Sequence, residues 1–232
     1  ALVASYLAIA GERESGGIKF LLSLPNKRRD VFTGKLLSRL VIVAAGIGVM
    51  YVAATSVSLT KHGAFPAGVI FGTLLLTTIY GAVFVSIGLS LSATVASRSK
   101  AIGRSLVAYF VLVLLYLFPV IQISNVVREL HTTILGMDAN PDLYNAVEYT
   151  SPYLAYQKAT NLAVPENLEQ RFFEDSATNA QAAVSQAGGE ASRVALDLPF
   201  YLSDEFSLVI LAVWLVLPLV AGYRAFKGAD LE

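Results

Sequence analysis

Gly11-Glu12-Arg13-Glu14-Ser15-Gly16-Gly17-Ile18-Lys19-Phe20-Leu21-Leu22-Ser23-Leu24-Pro25-Asn26-Lys27-Arg28-Arg29-Asp30 breaks an apolar N-terminal region with a dense run of charge. Carried on to Arg39, the stretch holds seven Lys/Arg residues. Charge of that density does not lie in lipid, where a single ionised side chain at the centre of a spanning helix costs about 2.5–3.5 kcal/mol or more. Within the stretch Ile18, Leu21 and Leu22 fall at i, i+3 and i+4, Phe20 and Leu24 sit beside them, and Lys19 and Ser23 share the polar side. The spacing predicts a short helix over 16–24, stopped by Pro25. Its apolar face is too small to form a core of its own. The expectation is a partner protein that covers it.

On either side the sequence is that of a membrane protein. Of 232 residues, 55% are hydrophobic and 15% charged, against about 25% charged in an ordinary soluble domain. Residues 40–60, 62–97, 105–127 and 206–223 contain no Asp, Glu, Lys or Arg. A helix needs roughly 20 apolar residues to cross the ~30 Å hydrocarbon core. The prediction is therefore an all-α polytopic bundle with four full spans at 40–60, 67–96, 105–124 and 206–223. Residues 1–10 are apolar but too short to cross alone, and are expected to be the end of a further span that begins upstream. Residues 1–232 then form one transmembrane domain.

Basic residues set the orientation. Residues 11–39, 98–104 and 224–232 carry seven, three and two Lys/Arg, twelve of the seventeen in the chain. Lys/Arg in short loops resist translocation, so these segments are expected to be cytoplasmic and the loop 125–205 external. That loop has twelve Asp/Glu against four Lys/Arg, as a solvated segment does. In it Pro152–Leu162 reads as a short amphipathic helix lying at the outer interface, with tyrosines at headgroup depth. Gly68 and Gly72 form a small-xxx-small pair, and Gly88, Ser92 and Ala96 a longer row, at the spacing that lets membrane helices approach closely.

Catalytic and metal-binding patterns fail on inspection. Gly34-Lys35 lacks the glycine at position 29 and the Ser/Thr at position 36 of a phosphate-binding loop. Ser97 and Lys100 have a Ser/Lys nucleophile spacing, but they sit in a basic turn beside a span, where anchoring accounts for the lysine. His62 and His131 have no neighbouring ligand set, and the chain has no cysteine. No catalytic, cofactor or metal residue is expected, nor any nucleic-acid partner. Ion-coupled transporters place ionisable groups at membrane depth, and these spans offer hydroxyls, Gln122 and backbone instead. Energy for any transport is expected to come from outside the bilayer.

Glu12-Arg13-Glu14-Ser15-Gly16-Gly17-Ile18-Lys19-Phe20-Leu21-Leu22-Ser23-Leu24-Pro25, then Arg28-Arg29-Asp30-Val31 and Gly34-Lys35, resembles the segment after the second span of ABC-2 type permeases, the membrane subunits of ABC transporters. Gly17 replaces the Thr usual there, and Lys27 a common Ser/Thr. Span order and the basic C-terminal end extend the resemblance over nearly the whole chain, with its specificity in 11–35. The resemblance implies a coupling segment over 11–35 whose helix 18–24 docks on a separate ATP-binding subunit, with Glu12, Arg13 and Glu14 as charged contacts and Gly16, Gly17, Ile18, Lys19, Leu21, Leu22, Leu24, Pro25, Arg28 and Arg29 completing the site. It also implies ATP and Mg on that partner rather than on this chain, a second permease copy or paralogue as a dimer mate, membrane lipid around the bundle, a place in the cytoplasmic membrane, and export as the direction. The chain itself would not be an enzyme. On the residues alone, a stand-alone secondary transporter or channel and a non-transporting membrane anchor stay open, as does an interfacial helix held by anionic headgroups through Lys19, Lys27, Arg28 and Arg29.

Overall fold

The structure, a computed structural model, describes residues 1–18, 27–62, 66–114, 123–164, 200 and 203–228. Helices account for the regular structure among them: α1 (Leu2–Ser5), α2 (Ala10–Glu14), α3 (Arg28–His62), α4 (Ala67–Ala93), α5 (Arg98–Tyr109), α6 (Ile123–Glu129), α7 (Pro141–Tyr149), α8 (Pro152–Asn161) and α9 (Asp204–Gly228). α5 runs on into a π-helical turn, Phe110–Leu114, and α6 into another, Leu130–Ile134. Three of these helices, α3, α4 and α9, are long and apolar enough to cross a membrane. The span expected at 105–124 is helical through Leu114, and residues 115–122 lie outside the described residues.

α4 is the hub. Every residue from Val83 to Ser90 is buried, because α9, α3, α1 and α8 pack around it. Small side chains make that crowding feasible. A Cβ at Gly81 would meet Ile47 and Val43 of α3 at 3.0 Å, and one at Gly72 would meet the Ala163 Cβ at 2.7 Å. Gly88 lies against Ser5 of α1, and Gly222 of α9 against Ser90. α3 is the opposite case. The apolar part of this helix has no buried residue, and Leu37, Val41, Val49 and Val52 all face outward.

Two expectations about packing need correction. α4 stops at Ala93, three residues short of the span expected to reach 96, and Ala96 is exposed in the turn that follows. It therefore does not share a packing row with Gly88 and Ser92. Gly68 has nothing within 4 Å and packs on no other helix among the described residues.

The segment 152–162 is not a surface helix either. α7 leads through a short link into α8, and α8 fits between α4 and α9 with Pro152, Ala155 and Ala159 buried. α8 starts where Ser151 accepts a hydrogen bond from Tyr153 N and Pro152 takes the first helical position, a strong start signal. The Trp214 indole N–H donates to the Thr150 carbonyl at 2.7 Å, at a point roughly 15 Å along α9 from Asp204. Tyr156 stacks on Tyr80 with ring centroids 4.5 Å apart, and its hydroxyl is 2.9 Å from Thr77 Oγ1, itself 2.9 Å from the Tyr51 hydroxyl. Polar tips reached this far into the bundle have to be satisfied internally, and these are.

Candidate functional site

The charged segment sits where the ends of α2, α3, α4, α5 and α9 converge. Its contacts run to helix termini, which present carbonyl or N–H groups with no partner in their own helix. The Arg13 guanidinium donates to the Ala93 and Val95 carbonyls at 3.4 and 3.3 Å, closing the C-terminal end of α4. Next to it the Glu14 carboxylate accepts from Arg98 N, the first residue of α5. A cation at a helix C-terminus and an anion at an N-terminus are both favoured by the peptide dipoles. The two side chains thus hold the turn 94–97 between them.

Glu12 forms an ion pair with Lys35 of α3. Arg28, at the start of α3, donates to the Phe226 and Lys227 carbonyls at 3.3 and 2.7 Å, so it closes the end of α9. The start of α3 is itself capped, with Lys27 N donating to the Asp30 carboxylate at 3.4 Å. On the inner side of this girdle, Ala8, Ile9, Ile18, Phe32, Leu89, Ala93 and Phe226 form a buried apolar cluster. Phe32 contacts Tyr223 edge-on at 5.6 Å and Phe226 at 6.1 Å. The break between α1 and α2 is covered by Ser92, whose Oγ accepts from Ile9 N and Ala10 N at 3.0 and 2.9 Å.

Glu12, Arg13, Glu14 and Arg28 are therefore brought together, but their described contacts are to this chain's own helices. Ile18 also differs from expectation. At 2% exposure it belongs to the apolar cluster and has no face left for a partner's groove. Gly16 has φ +74, a left-handed conformation that glycine adopts without penalty, and it turns the chain between α2 and Gly17. Arg29 is exposed. Lys19, Leu21, Leu22, Leu24 and Pro25 lie outside the described residues. Lys35 is the member of the cluster that the sequence analysis did not name among the coupling contacts. Its signal was the acidic pair Glu12 and Glu14 within a strongly basic segment.

A cavity of about 610 Å³ opens among α1, α4, α5 and α8, walled by Tyr6, Tyr80, Phe84, Tyr109 and Tyr153 with Ser105 at its side. Among the described residues no Asp, Glu, Lys or Arg lines it. Among the described residues no group of His, Cys, Asp or Glu has the arrangement of a metal site.

Comparison with known proteins fits this architecture. Residues 1–231 match the model of the family described as "ABC-2 family transporter protein". A "Probable ABC transporter permease protein NosY" of Stutzerimonas stutzeri is 31% identical over 121 residues, covering 50% of this chain and 44% of the relative. The protein of the same description from Pseudomonas aeruginosa is 29% identical over 120 residues, with the same 50% and 44% coverage. In both cases the match spans less than half of the relative's own length. With a family match over almost every residue and a bundle of membrane-length helices, the chain belongs to the ABC-2 family of transporter proteins, as a membrane-spanning subunit and not an ATP-hydrolysing one.

Proposed function

We propose that this chain is the permease subunit of an ATP-driven exporter in the cytoplasmic membrane, coupled to a separate ATP-binding subunit through residues 11–35. The observation that carries the reading is the girdle of Arg13, Glu14, Lys35 and Arg28 around the segment, which joins it to the ends of α3, α4, α5 and α9. A push on the segment is then delivered to four helices at once. The basic residues at this end put it in the cytoplasm, with 125–205 outside and 105–124 as the fourth span. ATP and Mg belong to the partner, and a second permease copy or paralogue completes the transporter. The uncharged aromatic wall of the cavity favours hydrophobic or amphipathic cargo.

With Ile18 committed inward, docking falls to Leu21, Leu22 and Leu24. Each leucine buried in a partner's groove contributes about 1.5–3 kcal/mol before ordering costs. Changing Leu21 and Leu22 together to Ser is expected to weaken capture of the ATP-binding subunit more than tenfold, since about 1.4 kcal/mol is one decade, and to uncouple hydrolysis from transport while the permease still inserts. Unchanged capture and unchanged transport would remove the coupling assignment. Loss on changing Lys27 and Arg29 to Ala, with the leucines silent, would favour the interfacial-helix reading instead.

A further inference from the structure

We infer that α9 is a two-part lever, hinged at Pro218 and held in its present shape by Ser86 and Ser90 of α4. Pro218 has no N–H, so the helical bond to the Trp214 carbonyl one turn earlier is missing and α9 is weakest there. In a membrane helix such a break is tolerated beside neighbouring hydroxyls, and two lie here, on the flanking Leu215 and Pro218 carbonyls rather than on that of Trp214. Ser86 Oγ donates to the Leu215 carbonyl at 2.7 Å, and Ser90 Oγ lies 2.5 Å from the Pro218 carbonyl. Gly222, one turn beyond Pro218, brings the backbones into direct contact: a Cβ there would fall 2.6 Å from the Ser90 Cα.

Ser90 has one hydroxyl proton but two carbonyls within reach, Pro218 on α9 and Ser86 on its own helix at 2.7 Å. Donation to Pro218 ties the hinge to α4, and donation to Ser86 releases it. In this proposal those two donations are the tied and the released states of the hinge. The two arms beyond the hinge are gripped separately. The lower arm is fixed by Phe226 in the apolar cluster and by Arg28 on its last carbonyls. The upper arm is fixed to the link between α7 and α8 through Trp214 and the Thr150 carbonyl, and by fully buried Leu211. Along α9, movement at the charged end thus reaches α8 by passing Pro218, beside the direct contact that α4 makes with α8 through Tyr80 and Thr77. The transmission rests on the proposed coupling at residues 11–35, but the latch itself does not.

Glu205 and Gly228 are exposed near the two ends of α9, about 35 Å apart for a helix of that length. With no native cysteine, Glu205→Cys and Gly228→Cys carry spin labels for pulsed dipolar spectroscopy in bilayers. In the permease alone, Ser86→Ala with Ser90→Ala is expected to turn a narrow distance distribution into a broad or two-component one, and Pro218→Ala to narrow it. No change from either substitution overturns the latch. In the complex with its ATP-binding subunit, a non-hydrolysable nucleotide is expected to shift the distribution, and Pro218→Ala to abolish the shift. A shift that survives Pro218→Ala overturns the hinge. Serine-dependent broadening in the permease alone, without any nucleotide shift in the complex, sustains the latch and counts against coupling through residues 11–35.

Discussion

Replacing Gly222 with Ala tests whether α4 and α9 are held by close backbone packing. The new Cβ would stand 2.6 Å from both the Ser90 Cα and the Ser90 Oγ, where carbon atoms in good contact sit at about 3.5–4.0 Å. The Cα cannot rotate away, so the helices must part by close to an ångström. Overpacking of this kind typically costs about 1–3 kcal/mol. Parting also stretches the Ser86–Leu215 and Ser90–Pro218 hydrogen bonds, each worth about 0.6 kcal/mol in a membrane protein. The combined expectation is a loss of about 2–4 kcal/mol.

The control is the same substitution in open space. Gly46 and Gly48 of α3 have nothing within 4 Å, so Ala there only removes the helical penalty of glycine and is expected to stabilise by about 0.5–1 kcal/mol. Equilibrium unfolding of the purified protein in mixed micelles, read by circular dichroism against denaturing detergent, gives both numbers on one scale. Opposite signs for Gly222→Ala and Gly46→Ala are the expected result. If the two substitutions shift the midpoint equally, the close approach of α4 and α9 is not what holds the bundle.

Two further outcomes follow from the same contacts. Thr77→Val keeps volume but leaves the Tyr51 and Tyr156 hydroxyls without their shared partner, so it is expected to destabilise by about 1–3 kcal/mol and to expose α8 to faster proteolysis, whereas Thr60→Val, an exposed site on α3, leaves both measurements near wild type. For orientation, a cysteine at Ser99 is expected to react with an impermeant maleimide only after cells are opened, and one at Ser176 to react at once; the reverse pattern rejects the assignment of residues 11–39 to the cytoplasm.

The long helices were legible because charge is conspicuous by its absence. Stretches free of Asp, Glu, Lys and Arg at 40–60 and 206–223 lie inside α3 and α9. What composition does not encode is which helix is central. α3 and α4 are similarly apolar, yet one is bare and the other wrapped. The difference lies in where Gly81, Ser86, Gly88, Ser90 and Ser92 meet a neighbour, and Gly46 and Gly48 show that glycine alone does not mark such a place. The segment 152–162, now α8, was misread as a surface helix for a related reason. Its tyrosines are amphipathic, and the choice between headgroups and Thr77 is made by α4, distant in sequence. The small pair Ala155 and Ala159 was the signal that favoured burial.

The charged segment was expected to supply contacts to a partner, and the described contacts of Glu12, Arg13, Glu14 and Arg28 run to this chain's own helices. Arg13 and Arg28 find main-chain carbonyls at helix ends, acceptors that every helix has and no side-chain pattern announces. This changes what substitutions in the segment mean. Removing Arg28 strips the end of α9 of its donor and loosens the Phe226 cluster, so lost transport on Arg28→Ala would report a weakened bundle as readily as a lost partner contact. Ile18 carries the same ambiguity, because it is already used internally. Docking is therefore to be tested on the leucines, and force transfer on the arginines, with bundle stability measured alongside. A variant that keeps the ATP-binding subunit and the unfolding midpoint but loses transport would locate the fault between the segment and the helices it grips.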